Sequence, residues 1–301
     1  MSVKNHAVLA SAISFSLLCA NTQAEDVQQT LVPRPAAGFF NATYFEAADI
    51  KDSEGVEYIQ QDTHFKMTLG KVGEVESGLF AYGFNVRQRT IDIETPDGSG
   101  EASQTLYDIS APLTYARKAD EDTTYIINLS PGFKSSLEYV ADEDLAINAV
   151  AQVIEGGQYH SYAYGLVYTH AFGTGKFVPL ASYTYKPNPK WQMALGFPVT
   201  YASYAPEWGE NYFAKITPNG GSWHVYGDDK EDQFDIVQVG YRLGAGGQWK
   251  IKGPFWFEVE GGIQFGQELD LEDENGTKVD AKFENSGYLQ LGINLHFSGP
   301  E

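Results

Sequence analysis

The sequence predicts an all-β protein: one domain forming an antiparallel transmembrane β-barrel of about 12 strands, within a range of about 10–14. Three observations carry that prediction. Apolar and polar residues alternate with a period of two in one segment after another from Gly38 to Phe297. A strand places successive side chains on opposite faces, so this pattern gives each strand one oily and one polar face. The chain is also rich in aromatic residues and glycine, with 19 Tyr, 18 Phe, 5 Trp and 31 Gly, as aromatic girdles and tightly turning strands require. Finally, the polar faces carry charges of both signs, which suits a crowded interior where charges pair.

The first element is an export signal over residues 1–24. Lys4 supplies the positive start, Ala7–Leu18 the apolar run, and Thr22-Gln23-Ala24 the cleavage site, so that Glu25 begins the mature chain. The apolar run is too short for a membrane-spanning helix, which takes ~20 residues. Cys19, the single cysteine, offers a lipoprotein alternative, but the bulky Leu18 precedes it. Residues 25–37, polar and holding Pro33 and Pro35, read as a short periplasmic lead. The barrel then occupies 38–297, and 298–301 form a tail.

Within the barrel the alternation is clearest late in the chain. Trp191, Met193, Leu195, Phe197 and Val199 alternate with Gln192, Ala194, Gly196 and Pro198. Val237, Val239, Tyr241 and Leu243 alternate with Gln238, Gly240 and Arg242. Phe255, Phe257, Val259, Ile263 and Phe265 alternate with Glu258, Glu260 and Gln264. Leu289, Leu291, Ile293, Leu295 and Phe297 alternate with Gln290, Gly292, Asn294 and His296. Earlier, Phe65, Met67 and Leu69 face away from Lys66, and Phe80, Tyr82, Phe84 and Val86 from Asn85 and Arg87. Tyr107, Ile109 and Leu113 face away from Asp108. Lipid is expected to meet Val237, Val239, Leu195, Phe257, Leu291 and Ile293. The interior is expected to hold Gln290 and the charges Lys66, Arg87, Arg89, Asp108, Arg242, Glu258 and Glu260. A β-sandwich also alternates. The mixed-sign polar faces and the Tyr and Trp near strand ends favour the barrel.

Connections alternate short and long, as in outer-membrane barrels. A polar stretch up to Asp62 and the segment Glu94–Gln104 read as long loops, Val72–Ser77 and Ala119–Asp122 as short turns, and Gly244-Ala245-Gly246-Gly247 as a turn between strands. Tyr204–Gly227 shows the weakest pattern. Asn275-Gly276 is a strong hairpin signal. A two-residue loop there would set residues of opposite faces against each other, because a slip of one flips every side chain. A three-residue loop, Glu274-Asn275-Gly276, restores the faces. It opposes Leu271 to Val279, Leu269 to Ala281, Glu272 to Lys278 and Glu268 to Lys282, with Asp270 against Asp280 as the one unfavourable pair.

The formal net charge is −20, concentrated between strands, which argues against a nucleic-acid partner. Such loops can hold divalent cations beside lipopolysaccharide. No Gly-x-Ser-x-Gly elbow or P-loop occurs. The acidic run Asp270–Glu274 with Gly276 fails calcium-loop spacing, since Leu271 falls where an Asp is required. Asn41-Ala42-Thr43 and Asn128-Leu129-Ser130 match glycosylation sequons but lie on strands. A base and nucleophile on one strand need i, i+2 spacing. Among the mature-chain histidines only His296, with Ser298, has it, at the chain end and without a third member. No catalytic, cofactor or metal residues are therefore expected.

Gln290, Gly292, Leu295 and Phe297 resemble the C-terminal assembly signal of outer-membrane barrels, which reads polar, any, Gly, any, any, hydrophobic, any, aromatic. The departure is that Ser298–Glu301 follow the aromatic residue. From Gly38 to Phe297 the chain resembles the uncharacterised Gram-negative barrel families known only as domains of unknown function. That resemblance implies a fold, an outer-membrane location, and lipid, lipopolysaccharide and the barrel-assembly machinery as partners; it carries no site residues. The expected role is a narrow channel or a structural, surface-exposed barrel without catalysis. The alternatives are an outer-membrane lipid-modifying enzyme and a secreted or periplasmic β-protein binding an apolar ligand.

Overall fold

The computed structural model describes residues 30–51, 55–95, 102–139, 141–226, 233–273 and 277–297. The export signal and the tail 298–301 lie outside the described residues. Fourteen strands form a closed antiparallel barrel. They are β1 (Gly38–Phe45, resuming at Ala48–Asp49), β2 (Glu57–Val72), β3 (Leu79–Glu94), β4 (Ala102–Ser110, resuming at Leu113–Lys118) and β5 (Thr123–Ser135). Next come β6 (Leu145–Gly156), β7 (His160–Thr169), β8 (Lys176–Asn188), β9 (Trp191–Phe197) and β10 (Thr200–Tyr204). The last are β11 (Glu210–Pro218, resuming at Gly221–Tyr226), β12 (Gln233–Lys252), β13 (Phe255–Asp273) and β14 (Lys278–Lys282, resuming at Ser286–Leu295). Each pairs with its sequence neighbours, and β1 closes on β14 with Phe40 opposite Ile293. Both chain ends of the barrel lie at one rim, since Gly38 opposes Leu295.

The breaks within strands have local causes. Pro112, which has no N–H to give to a ladder, interrupts β4, yet the register against β3 and β5 is the same on both sides of the break. Asn219-Gly220 interrupts β11. This break and the five-residue β10 explain why 204–227 shows so little periodicity. Fourteen strands stand at the upper end of the expected range of about 10–14.

Two local readings are corrected. The stretch up to Asp62 is not loop throughout: β2 starts at Glu57, and Tyr58, Gln60 and Asp62 all point inward and are buried. With an inner face this polar, the segment shows no oily alternation. Gly244–Gly247 is not a turn but lies inside the 20-residue β12. The glycines there make room for inward rings. A Cβ on Gly244 would lie 2.0 Å from the Tyr288 hydroxyl, and one on Gly246 would lie 2.9 Å from the Phe213 ring.

The outer surface is apolar: Phe40, Leu129, Leu166, Leu195, Leu243 and Leu291 are exposed. Near the terminal rim an aromatic girdle runs over β7–β12. In it Tyr162 packs on Tyr183 (ring centres 5.2 Å apart), Trp191 on Tyr204 (4.6 Å) and Tyr212 on Trp249 (6.0 Å). Such rings suit a membrane interface. At the opposite rim, β13 and β14 pair in the register expected of a three-residue loop, with Leu271 opposite Val279 and Asp270 opposite Asp280. Lys278 meets Glu272 at 2.8 Å and Lys282 meets Glu268 at 3.2 Å. The turn residues 274–276 lie outside the described residues.

The wall is uneven in height. β12 and β13 have 20 and 19 residues, whereas β9 and β10 have 7 and 5. On the tall side, Ile91, Leu106, Trp223, Val225, Ile236 and Leu269 close over the lumen as a buried apolar core. Tyr58 packs on Phe283 at its edge, with ring centres 4.3 Å apart. There the end of β5 touches β11 through a parallel bridge between Ser135 and His224. The shorter strands β6–β10 stop below this dome.

Candidate functional site

The lumen is divided into a polar and an apolar half. In the polar half, inward residues of β2, β3, β11 and β12 converge on Asp62. The fully buried Arg89 grips it with two parallel bonds, Nε to Oδ1 at 2.8 Å and a terminal nitrogen to Oδ2 at 2.9 Å. Arg87 reaches the same carboxylate at 2.5 Å. Asn219 Oδ1 accepts from both guanidiniums, at 2.6 Å from Arg87 and 2.8 Å from Arg89. Arg89 also donates to Gln238, which donates in turn to the Tyr58 hydroxyl and to Gln60. Burying two cations requires this number of acceptors, because an unpaired buried charge costs several kcal/mol.

Two further clusters fill the lumen, one beside the plug and one toward the terminal rim. Asp108 pairs with Lys134 of β5 at 3.1 Å. Glu260 takes Lys215 of β11 at 2.6 Å and the Tyr288 hydroxyl at 2.7 Å, while Arg242 lies over the Tyr288 ring. Glu258 accepts from Gln290 at 2.9 Å and from Asn294 and Gln248 at 2.6 Å each. The lead also packs against the terminal rim. Leu31 donates its N–H to the Pro189 carbonyl, and the His296 ring meets the Arg34 carbonyl at 2.6 Å. Residues 30–37 therefore run from the β8–β9 turn to the end of β14.

The apolar half is lined by Leu79, Ile126, Val150, Ile154, Val167 and Leu180 of β3 and β5–β8, with Val75 of the β2–β3 turn folded against it. Beside this cluster an open-sided cavity lies inside β6–β10, ending at the β9–β10 turn, Pro198-Val199; with the open solvent at its mouth it encloses about 410 Å³ of empty space. It exists because the inward residues there are small: Ala163, Ser182 and Ala194.

Over the short strands lies the loop 170–175. The Phe172 ring stacks on Phe197 at 5.8 Å and also meets Tyr241 at 6.1 Å. His170 Nδ1 lies 2.8 Å from the Ser222 hydroxyl of β11. Gly173, at φ +94°, sits so close to Val237 that a Cβ would be 3.0 Å from it. Val237 and Val239 thus point outward but are half covered by this loop.

The family model described as "Domain of unknown function (DUF6268)" matches residues 84–298. The chain belongs to this family. The DUF6268 match begins within β3 and runs past β14, so it includes every wall of the apolar cavity. No curated protein matches the sequence. Among solved structures, the chain is similar to a "TodX deltaS2S3 mutant monoaromatic hydrocarbon channel" at 8% identity, with 87% of this chain and 91% of that one covered and a TM-score of 0.43. A NanC porin is similar at 9% identity, with 86% and 99% covered and a TM-score of 0.36. The transport unit of the autotransporter AIDA-I from Escherichia coli follows at 11% identity, with 95% and 96% covered and a TM-score of 0.36. None of these likenesses bears on substrate.

Arg87, Arg89, Asp108, Arg242, Glu258, Glu260, Lys66 and Gln290 all lie on inward faces of this DUF6268 barrel. The partners Asp62, Lys134, Lys215 and Asn219 escape sequence reading. Asp62 sits in a stretch without oily alternation, and Asn219 sits in a strand break. Lys134 and Lys215 belong to segments whose register only the closed barrel defines. Leu195, Phe257 and Leu291 face outward and are exposed. Gly292 opposes Asn41 and Leu295 opposes Gly38 in the closing seam; Phe297 lies exposed just beyond the strand end. Asn41 and Asn128 do lie on strands. Ser298, the residue spaced for His296, lies outside the described residues.

Proposed function

We propose that the chain is an outer-membrane barrel, exported by a signal cleaved after Ala24, with its termini in the periplasm and its lumen shut to bulk water. Insertion would run through the barrel-assembly machinery, recognising Gln290, Gly292, Leu295 and Phe297. The acidic loops would face lipopolysaccharide. The observation that carries the reading is the plug: Arg87, Arg89 and Asp62 are locked together under an apolar dome, so a solute crossing the polar half must break buried ion pairs. Purified protein should enter the heat-modifiable membrane fraction and give at most small, infrequent conductance steps in a planar bilayer. Large, steady steps from the unmodified protein would refute a closed lumen.

One observation favours a second reading, an enzyme acting on lipid. His170 and Ser222, far apart in sequence, come within 2.8 Å of each other, the distance a base needs to activate a hydroxyl. Ser222→Ala should leave phospholipid hydrolysis by reconstituted protein unchanged if the barrel is not catalytic. Loss of a measurable hydrolysis in that variant would establish the enzyme.

A further inference from the structure

The low wall and the cavity behind it belong together. A strand tilted as in outer-membrane barrels needs ~9–11 residues to cross the hydrocarbon layer. β9 and β10 have 7 and 5. With the Trp191–Tyr204 pair anchoring their lower ends in the aromatic girdle, their upper turn lies within the hydrocarbon layer. Its chemistry agrees. A turn in lipid must satisfy its own backbone. Here Thr200 Oγ1 donates to the Gly196 carbonyl at 2.8 Å and accepts from the Gly196 N–H at 3.2 Å. Pro198 has no N–H to satisfy. The residues outside it, Leu195 and Phe197, are exposed and apolar. Above the turn β8 and β11 continue without a strand between them, and only the loop 170–175 bridges the gap.

Behind this notch the cavity offers Ile154, Leu180 and Val199 as an oily lining. Two polar side chains, Gln152 and Ser182, also line it. Neither has a hydrogen-bond partner among the described residues, whereas the polar groups of the plug are densely bonded. An apolar molecule alone would leave both unsatisfied.

We propose that this cavity binds a small, mostly apolar molecule carrying one hydrogen-bonding end, and that the molecule enters from the bilayer through the notch over β9–β10, beneath the loop 170–175. The apolar part lies against Ile154, Leu180 and Val199, and the polar end bonds Gln152 and Ser182. This rests on the bilayer placement proposed above and is independent of whether the lumen conducts.

The test uses the full barrel in lipid vesicles with hexadecanol carrying a photoreactive diazirine on its chain, and maps the labelled residues by mass spectrometry. Labelling of Leu180, Ala194 or Val199 is expected, together with outward residues such as Leu291. Ala194→Trp, which fills the cavity, should cut the inward labelling about tenfold while leaving Leu291 labelled. Ala163→Phe, two strands along the same inner wall, should do the same, so a folding defect in one variant does not decide the matter. Phe172→Ala, which unstacks the loop from Phe197, should speed inward labelling. Labelling of outward residues alone would overturn the site and leave the membrane barrel standing. Labelling of neither face would overturn both. An unchanged rate in Phe172→Ala would overturn the entry route.

Discussion

Strands β1–β4 and β11–β14 enclose a lumen packed with ion pairs and amide bonds, whereas β6–β10 enclose Val150, Ile154, Ala163, Val167 and Leu180. The two halves share one closed sheet and one apolar outer surface, so the outer face does not distinguish them. Height does. The tall strands carry their inner faces past the ends of the short ones, where they meet as a dome, and the lumen beneath is filled by long polar side chains that bond across it. The short strands end below the dome, carry small inner residues, and leave a cavity. A barrel of constant circumference can therefore hold a rigid plug and an empty site side by side, provided strand length and inner side-chain size change together.

The sharpest way to break the comparison is at Asp62. Asp62→Ala strands Arg87 and Arg89 in a buried site without their carboxylate, and should destabilise the barrel by ~3–5 kcal/mol in a vesicle-based unfolding titration. A loss under ~1 kcal/mol would mean that water already solvates the polar half.

Arginine on the outer wall should cost somewhat less. Leu291→Arg on the tall side and Leu195→Arg on the short side should each cost ~2–4 kcal/mol if both lie near mid-membrane. Gln290→Arg points inward toward Glu258 and Glu260 and should cost much less. A Leu195→Arg that cost no more than Gln290→Arg would place β9 out of the hydrocarbon layer.

Inside the apolar half, Leu180→Ala should cost ~2 kcal/mol, at the low end for a buried leucine, because the neighbouring space is already open. A cost near ~5 kcal/mol would show a tightly packed wall with no usable cavity.

The smallest effect belongs to the hairpin at the rim opposite the termini. Partial burial, then the charge of Asp280 opposite, holds the Asp270 carboxyl above the ordinary carboxylate range. The folded hairpin thus keeps a proton that the unfolded chain has released, and its stability falls as pH rises through that range. Asp280→Asn should stabilise the hairpin by ~0.5 kcal/mol above that window and by less below it, read by hydrogen exchange of residues 268–272. Equal effects at both ends of the window would discount the Asp270–Asp280 repulsion.

Much of this was fixed by local chemistry and so was legible in the sequence. Alternation assigned the inner face to Arg87, Glu258 and Gln290, and the outer face to Leu195 and Leu291, because side-chain direction in a strand depends only on parity. The same parity rule dictated the β13–β14 register across Asn275-Gly276. Parity says nothing about height or about which inward residues meet across the lumen. Asp62 and Asn219 became the centre of the plug only when β2, β3, β11 and β12 were brought together by closure. The glycines at 244–247 read as a turn because the rings that need their space, Phe213 and Tyr288, lie on other strands. The cavity, too, depends on Ala163, Ser182 and Ala194 lying side by side on three paired strands, under a loop whose Phe172 packs on Phe197 of β9 and Tyr241 of β12. Such contacts between residues distant in the chain are set by the packing of the closed barrel, and no local pattern encodes them.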